Sequence, residues 1–361
     1  MHLFGEHEQV VVCHEPEAGL RAIIAVHDTT LGPALGGIRM WTYTSDEAAL
    51  TDVLRLSRGM TYKNSMAGLP LGGGKTVVLG DPRTDKSELM FRALGRFIDA
   101  LGGRYIAAED VGTAIADAEV VARETRHMSG LPVAVGGSGD PSPMTAWGIF
   151  CGMRSCLREA GLDGFDGISV AVQGAGHVGA ALTGHLLEAG ARVTVADIYI
   201  DRTDPLRALG AEIGEAETIH AADCDIFAPC ALGAAINPRS VAELRCRIVA
   251  GSANNQLLDD AMGDELQRRG IVYAPDYVIN AGGVINIGEE LDGAYDAGQA
   301  RLSVERIEGN LDTVFERARA DGVPPHRAAD LIAEERIAAT RAARADAVDS
   351  LYRPQARGES G

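Results

Sequence analysis

The first 140 residues mix two spacings of hydrophobic and polar positions. Short runs of β-branched and other apolar residues predict strands at 9–13, 21–27, 76–79 and 104–108. Between them, apolar residues recur every three or four positions, which predicts helices. One helix is predicted to start at the capping-box pattern Thr44-x-x-Glu47, and a second carries apolar residues from Met90 to Leu101. This part of the chain is therefore expected to be a mixed α/β domain.

A stretch rich in Gly, Ser and Pro at 136–143 interrupts that pattern and predicts a domain boundary. Beyond it, short apolar runs alternate with helical segments, at 168–172, 192–196, 225–228, 247–250 and 271–274. Such alternation is typical of a parallel sheet with helices on both faces. We expect domains at 1–140 and 141–325, followed by a helical C-terminal segment, 326–361, that packs back toward the first domain.

The first strand of the second part runs into the loop Gly174-Ala175-Gly176-His177-Val178-Gly179, and the next strand ends at Asp197. The three glycines permit a tight turn, a close approach of the backbone to a pyrophosphate, and close packing of helix on strand. Free N–H groups at the helix start then bind the anion. Asp197 would accept hydrogen bonds from the adenosine ribose and repel a 2′-phosphate, so the spacing predicts NAD rather than NADP. Arg202 is the only nearby cation that could weaken this preference. The His177 side chain is expected to be exposed and without a role of its own.

Composition limits the partners. The 361 residues include 33 basic and 51 acidic side chains, a formal charge of −18, so nucleic acid and anionic membranes are not expected to bind. No apolar run is long enough for a membrane span, and the N-terminus lacks a signal-peptide pattern, so a cytoplasmic protein is expected. The six cysteines have no spacing suited to a metal, and no metal site is predicted.

Lysine is rare in this chain. Among the 33 basic residues, only Lys63, Lys75 and Lys86 are lysines. Arginine stays protonated at any working pH, whereas a buried lysine can lose its proton and act as a base. The few lysines are therefore candidates for chemistry, although Lys86 lies at an apparent helix start and is expected to be on the surface.

The other two lysines flank a run of glycines. The run is similar to a P-loop, but that motif needs glycine where Leu69 stands, which disfavours phosphoryl transfer. Instead, the glycines at 72–74 are expected to let a substrate approach the backbone. Lys75 would then be desolvated in a cleft and act as a general base. Lys63 would keep its charge and bind a substrate carboxylate, and Asp110 would transfer protons. The alternatives are a surface lysine for Lys63 and a turn cap for Asp110.

These segments belong to a longer series of motifs, at 31–37, 58–64, 71–76, 108–112, 227–233, 251–255 and 273–283. With them the chain resembles, nearly end to end, the glutamate/leucine/phenylalanine/valine dehydrogenases, and most closely their leucine branch. The resemblance implies an N-terminal α/β substrate domain and a C-terminal Rossmann domain separated by a deep cleft. It also implies NAD-dependent, reversible oxidative deamination of branched-chain L-amino acids to 2-oxo acids and ammonia. A homo-oligomer, by family analogy an octamer, is expected.

The resemblance also implies a role for individual residues. Lys75 would activate the attacking water, Lys63 would hold the substrate carboxylate, and Asp110 would shuttle protons. The substrate would contact Leu35, Gly36, Gly37, Met60, Ala108, Val284 and Ile287. The cofactor would contact Thr145, the loop Gly174, Ala175, Gly176, His177, Val178 and Gly179, and also Asp197, Ile198, Cys230, Ala231 and Asn255.

The substrate preference stays open at this point. Ile287 stands where leucine-specific relatives usually carry valine, and Gly288-Glu289 also departs from their pattern. The extra methylene would favour shorter substrates by about 1 kcal/mol. The alternatives are a related enzyme that prefers valine or an aromatic amino acid, and a non-catalytic NAD-binding protein that kept the fold. A glutamate-specific enzyme would need a cation in the side-chain pocket, and the predicted lining is apolar.

Overall fold

The computed structural model describes residues 4–291, 293 and 295–352, which form two β-sheets flanked by helices. The first sheet consists of β1 Gln9–Glu15, β2 Leu20–Asp28, β3 Ala34–Trp41, β4 Gly72–Leu79 and β5 Tyr105–Glu109. The strands lie in the order β1-β2-β4-β3-β5. β2 runs antiparallel to both of its neighbours, whereas β4, β3 and β5 are parallel.

Three helices cover the first sheet, α1 Asp46–Met66, α2 Glu88–Asp99 and α3 Ile115–Ala122. Val53 of α1 packs on one face of the sheet, against Ile23 and Val77. Residues of α2 and α3 pack on the other face, around Ile24. Because both faces are covered, β2 is buried along almost its whole length instead of alternating between buried and exposed positions.

The second sheet is parallel and has six strands, β6 Ser169–Gln173, β7 Arg192–Ala196, β8 Glu212–Ile213, β9 Ile226–Pro229, β10 Ile248–Val249 and β11 Val272–Tyr273. Their order is β11-β10-β9-β6-β7-β8. From β8 inward this is the 3-2-1-4-5-6 arrangement of dinucleotide-binding domains, in which the order reverses between β6 and β9. The predicted class, an α/β chain with a Rossmann-type second domain, is confirmed.

Ten helices follow the first three along the chain. They are α4 Ser142–Glu159, α5 His177–Glu188, α6 Asp204–Ala208, α7 Pro238–Glu243, α8 Asp260–Arg268, α9 Asp276–Ile279, α10 Gly282–Leu291, α11 Ala297–Val304, α12 Arg306–Asp321 and α13 Pro325–Tyr352. No helix among the described residues is both long and apolar enough to cross a membrane.

Helix α13 lies against α1 of the first domain. The Ser65 hydroxyl donates to the Ala333 carbonyl over 3.1 Å, and Arg341 pairs with Asp28 over 2.6 Å. Of the predicted C-terminal segment, residues 353–361 lie outside the described part of the chain. The domain boundaries at 140 and 325 stay predictions, although α4 begins inside the predicted boundary segment 136–143.

Two local predictions were wrong. The cap of α1 is Ser45, whose hydroxyl accepts from the Ala48 N–H, and not Thr44. The strand β3 was missed because glycines at its centre weaken the β-propensity that marks a strand. Its neighbours on both sides supply the hydrogen bonds that hold it in the sheet.

The first domain has little tolerance for added side chains along β4. A Cβ at Gly73 would lie 2.1 Å from the Thr61 amide nitrogen of α1. We therefore expect Gly73→Ala to lower the free energy of unfolding by at least about 2 kcal/mol, because rigid backbone would have to move.

The matched control is Gly184→Ala in the middle of α5, where an added Cβ meets nothing within 4 Å. Alanine favours a helix interior over glycine by up to about 1 kcal/mol, so this variant should be slightly stabilised. Urea unfolding of both variants measures the difference, and equal stabilities would contradict the packing described for β4.

Candidate active site

A cleft of about 360 Å³ lies between the two domains. Its lining contains all three predicted catalytic residues, Lys63, Lys75 and Asp110. All seven predicted substrate residues also line it, namely Leu35, Gly36, Gly37, Met60, Ala108, Val284 and Ile287. From the predicted cofactor set, Thr145, Val178 and Asn255 reach the same cleft. The structure thus brings together residues that are more than 200 positions apart in sequence.

Lys75 and Asp110 form an ion pair at one side of the cleft. Lys75 lies within β4 and Asp110 directly follows β5, and Nζ is 3.0 Å from Oδ2. The same Oδ2 accepts from Nε of Arg39 on β3 over 3.1 Å. A second carboxylate, Asp52, pairs with Arg39 over 3.2 Å and accepts from the Tyr43 hydroxyl over 2.8 Å. The set therefore contains two cations and two carboxylates.

These neighbours decide the ionisation of Asp110. Burial by itself would raise the pKa of this carboxyl, but the charges and hydrogen bonds of Lys75 and Arg39 outweigh it and lower the pKa to about 2. Asp110 is therefore a carboxylate at neutral pH. The Asp110 N–H donates a hydrogen bond to the Thr113 hydroxyl oxygen over 3.0 Å, which fixes the backbone at this residue.

Lys63 lies in the last turn of α1 and faces the cleft from another side. Burial lowers the pKa of Lys63 to about 8; the charge of Asp276 on α9 opposes this shift, and repulsion by Lys75 adds to it. Burial also raises the pKa of Asp276, although the N–H groups of Gln256 and Tyr277 stabilise its carboxylate over 2.9 and 2.6 Å.

The two cleft lysines differ in their neighbours. Lys75 is buried, and the Asp110 carboxylate lies 3.0 Å from its Nζ. Lys63 makes no ion pair with a carboxylate of the described residues, and burial lowers its pKa. At pH 7 a pKa of about 8 still leaves Lys63 mostly charged.

The glycines before Lys75 do not serve a substrate, and that prediction was wrong. A Cβ at Gly72 would lie 2.0 Å from the Asp28 carbonyl oxygen, and one at Gly74 would lie 2.6 Å from the Tyr105 ring. These residues, like Gly73, are small because other parts of the protein fill the space. The backbone that does border the cleft is at Gly36 and Gly37 of β3.

The side-chain end of the cleft is aliphatic. Leu35, Leu71, Ala108 and Ile287 form a buried cluster, against which Leu69, Ile106 and Val284 pack. The Leu69 side chain occupies the space beside Gly288, where a Cβ would lie 2.9 Å from Leu69 Cδ2. The extra methylene of Ile287 therefore lies next to Gly288, which has no side chain and leaves its space to Leu69.

A second cavity of about 380 Å³ lies at the switch point of the parallel sheet. Gly174, Asp197, Ile198 and Ala231 of the predicted cofactor set line it. The Asp197 carboxylate accepts from the Ala175 N–H over 2.7 Å, which joins the glycine loop to the end of β7.

The loop itself fits a dinucleotide. A Cβ at Gly179 would collide with the Gly174 carbonyl oxygen at 2.0 Å, whereas the space at Gly176 is open. No side chain caps the start of α5, so the N–H groups of the first turn of this helix are available to an anion. The His177 side chain at the helix start is exposed, as predicted. Cys230 follows β9 beside this loop, with its Cβ 3.4 Å from the Cβ position of Gly179.

Several cleft residues were not found from the sequence. Arg39 lies on β3, the strand that the sequence analysis missed, and nothing in the sequence distinguishes this arginine from the many others as a cleft residue. Asp276 and Asn280 lie within a motif that supports the family resemblance, but no spacing distinguished them. Asn280 donates to the Ser252 carbonyl over 3.0 Å, and its own Oδ1 is buried without a partner in the described structure.

Comparisons with known proteins agree with this geometry. A family model described as Glu/Leu/Phe/Val dehydrogenase, dimerisation domain, matches residues 7–127. Another, described as Glutamate/Leucine/Phenylalanine/Valine dehydrogenase, matches residues 136–199 and 202–345. Together they span most of the chain.

Individual relatives extend the likeness. Leucine dehydrogenase of Thermoactinomyces intermedius is 55% identical over 341 residues, which cover 94% of this chain and 93% of the relative. Valine dehydrogenase of Streptomyces virginiae is 47% identical over 342 residues, covering 93% and 95%. The crystal structure of L-tryptophan dehydrogenase from Nostoc punctiforme superposes with a TM-score of 0.80 at 42% identity, covering 93% of this chain and 97% of that one. The chain belongs to the Glu/Leu/Phe/Val dehydrogenase family and is an amino-acid dehydrogenase that uses a nicotinamide cofactor.

Proposed function

We propose that this enzyme catalyses the NAD-dependent, reversible oxidative deamination of branched-chain L-amino acids to 2-oxo acids and ammonia. The observation that carries the proposal is one cleft in which Lys63, Lys75 and Asp110 adjoin a wholly aliphatic pocket. The leucine dehydrogenase relative at 55% identity supports the same substrate class.

Substrate recognition divides between charge and shape. The Lys63 ammonium group binds the substrate carboxylate, because no carboxylate among the described residues pairs with it directly. The side chain of the substrate enters the pocket formed by Leu35, Ala108, Val284 and Ile287. A glutamate side chain would bury a charge among these residues without a partner, which is costly.

Lys75 and Asp110 move the protons. A nicotinamide cofactor held by the glycine loop and Asp197 would supply the hydride acceptor for the substrate Cα. Lys75 first gives up its ammonium proton by way of Asp110, and its neutral Nζ then takes a proton from the water that attacks the imino carbon. Asp110 passes a proton to the departing ammonia. Arg39 stays charged throughout, so Asp110 keeps a cationic partner at 3.1 Å while Lys75 is neutral.

Asp197 is the basis for proposing NAD. Its carboxylate lines the second cavity, where it would accept hydrogen bonds from the ribose and repel a 2′-phosphate. Arg202 stacks on the Tyr199 ring, 4.5 Å from its centroid. We also propose a homo-oligomer, an octamer by analogy with the family, because the model matched by residues 7–127 is described as a dimerisation domain.

A spectrophotometric screen of L-amino acids with NAD and with NADP tests the proposal. We expect kcat/KM to be highest for branched-chain amino acids with NAD. Phenylalanine and tryptophan should be poorer, since Ile287 with its extra methylene is one of the residues that line the aliphatic pocket. Ile287→Val should raise the leucine-to-valine ratio of kcat/KM by about fivefold, the effect of one methylene. Preference for tryptophan, the substrate named for the relative at 42% identity, would contradict the proposal.

Lys75→Ala should lower kcat by about a hundredfold to ten-thousandfold, because removal of a general base typically costs two to four orders of magnitude. NADH binding, followed by fluorescence, should stay unchanged. The control is Lys86→Ala, which removes the lysine that pairs with Asp117 outside the cleft lining. Turnover by Lys75→Ala at the wild-type rate would exclude this residue as the base.

The carboxylate affinity should depend on pH through Lys63. Isocaproate, the leucine analogue without an amino group, stays ionised above about pH 6. Because burial lowers the pKa of Lys63 to about 8, its charge is present below that pH and is lost above it. The isocaproate Kd should therefore be constant near neutral pH and rise about tenfold per pH unit above pH 8.

Lys63→Arg provides the comparison, since its charge persists across this range and should flatten the pH dependence. Lys63→Ala should bind isocaproate weakly at every pH. A wild-type Kd that does not change between about pH 7 and pH 10 would show that Lys63 does not hold the carboxylate.

A further inference from the structure

Helix α13 holds the end of α1 that carries Lys63. The Arg336 guanidinium donates to the Ser65 carbonyl and, over 3.1 Å, to the Leu69 carbonyl. The Ser65 hydroxyl donates to the Ala333 carbonyl over 3.1 Å. Carbonyl groups at a helix C-terminus lack hydrogen-bond donors within the helix, and Arg336 of α13 supplies such donors at the end of α1. Lys63 lies in that turn.

Two carboxylates one turn apart on α13 bind two tyrosines. The Tyr62 hydroxyl donates to Glu334 over 2.6 Å, and the Tyr277 hydroxyl donates to Asp330 over 2.6 Å. The two rings meet edge to face, with centroids 6.5 Å apart and an interplanar angle of 87°. Arg58 adds a hydrogen bond to the Tyr62 hydroxyl over 2.9 Å.

These tyrosines are sequence neighbours of the charged groups in the cleft. Tyr62 precedes Lys63 on α1, and Tyr277 follows Asp276 on α9. Burial raises the pKa of Tyr62 to about 12 and also raises that of Tyr277 well above its ordinary value, so both hydroxyls keep their protons and donate. Hydrogen bonds from a neutral hydroxyl to a carboxylate are short and strong.

The separation between Lys63 and Asp276 therefore depends on α13. Lys63 belongs to the first domain and Asp276 to the second, and their helices meet through the two tyrosines. The charged groups that act on Lys63 are Asp276 of α9, Lys75 of β4 and Asp110 after β5. Because Coulomb energy varies inversely with distance, a shift of α9 relative to α1 changes how well the Lys63 charge is stabilised.

We propose that Asp330 and Glu334 are positioning residues that, through Tyr277 and Tyr62, hold Lys63 opposite Asp276 and so set the affinity for the substrate carboxylate. This inference rests on the proposed function, in which Lys63 binds that carboxylate. Neither residue lines the cleft; both act through the tyrosines.

The experiment measures isocaproate binding to the full-length enzyme at pH 7 and the pH midpoint of that binding. Tyr62→Phe and Tyr277→Phe should each weaken binding by about fivefold, the usual effect of losing one buried hydrogen bond, and should shift the midpoint. Asp330→Ala should behave like Tyr277→Phe, whereas Asp330→Asn keeps an acceptor oxygen and should bind like wild type. The NADH Kd should stay unchanged in all of them.

Glu335→Gln is the matched control. Glu335 follows Glu334 on the same helix, but its carboxylate is directed to Arg317 of α12 over 2.7 Å. This variant should bind isocaproate with the wild-type affinity and midpoint. If it weakens binding as much as Tyr277→Phe does, the effect is a general loosening of α13 and the inference is wrong.

The remaining outcomes separate the inference from the proposed function. Unchanged affinity and midpoint in both tyrosine variants would overturn the inference alone. Failure of the wild-type enzyme to bind isocaproate, or unchanged binding by Lys63→Ala, would overturn the proposed function instead. If a tyrosine variant does not fold, the comparison of Asp330→Ala with Asp330→Asn decides, and equal affinities would overturn the inference.

Discussion

The active site depends on the carboxylate of Asp110 being shared by Lys75 and Arg39, at 3.0 and 3.1 Å. A charge that is removed from water needs partners, and breaking a buried pair costs far more than its net contribution to stability. Here Lys75 and Arg39 lie on the adjacent strands β4 and β3, and Asp110 directly follows the next strand, β5, so the register of these three strands fixes the geometry. The rest of the cleft is arranged around this set.

The different roles proposed for Lys63 and Lys75 follow from their different surroundings. Lys75 has a direct counter-ion, so its ammonium proton has an acceptor within hydrogen-bond distance. Lys63 has no direct counter-ion among the described residues, and burial lowers its pKa to about 8 although the charges of Asp276 and Asp110 oppose that shift. An incoming carboxylate would supply the partner that Lys63 lacks. Two residues of the same type in one cleft are thus suited to different tasks by their neighbours.

Predictions from sequence succeeded where the signal is local. The glycine loop, the following helix and Asp197 lie within 24 residues, and each is required by the geometry of a tight turn next to a helix start. Predictions failed where packing decides. β3 carries glycines that a propensity argument disfavours, and it is held by β4 and β5, which are distant in sequence. Glycines 72–74 were assigned to a substrate, but the space beside them belongs to α1 and Tyr105.

The amino-acid sequence by itself determined the fold class, the glycine loop and a short list of candidate residues for the chemistry, because turn geometry, periodicity and residue type are properties of short segments. Only the tertiary structure decided which charges pair. Arg39 joins Asp110, Asp276 acts on Lys63, and α13 meets α1, because electrostatic interactions depend on distances between segments that no local pattern encodes.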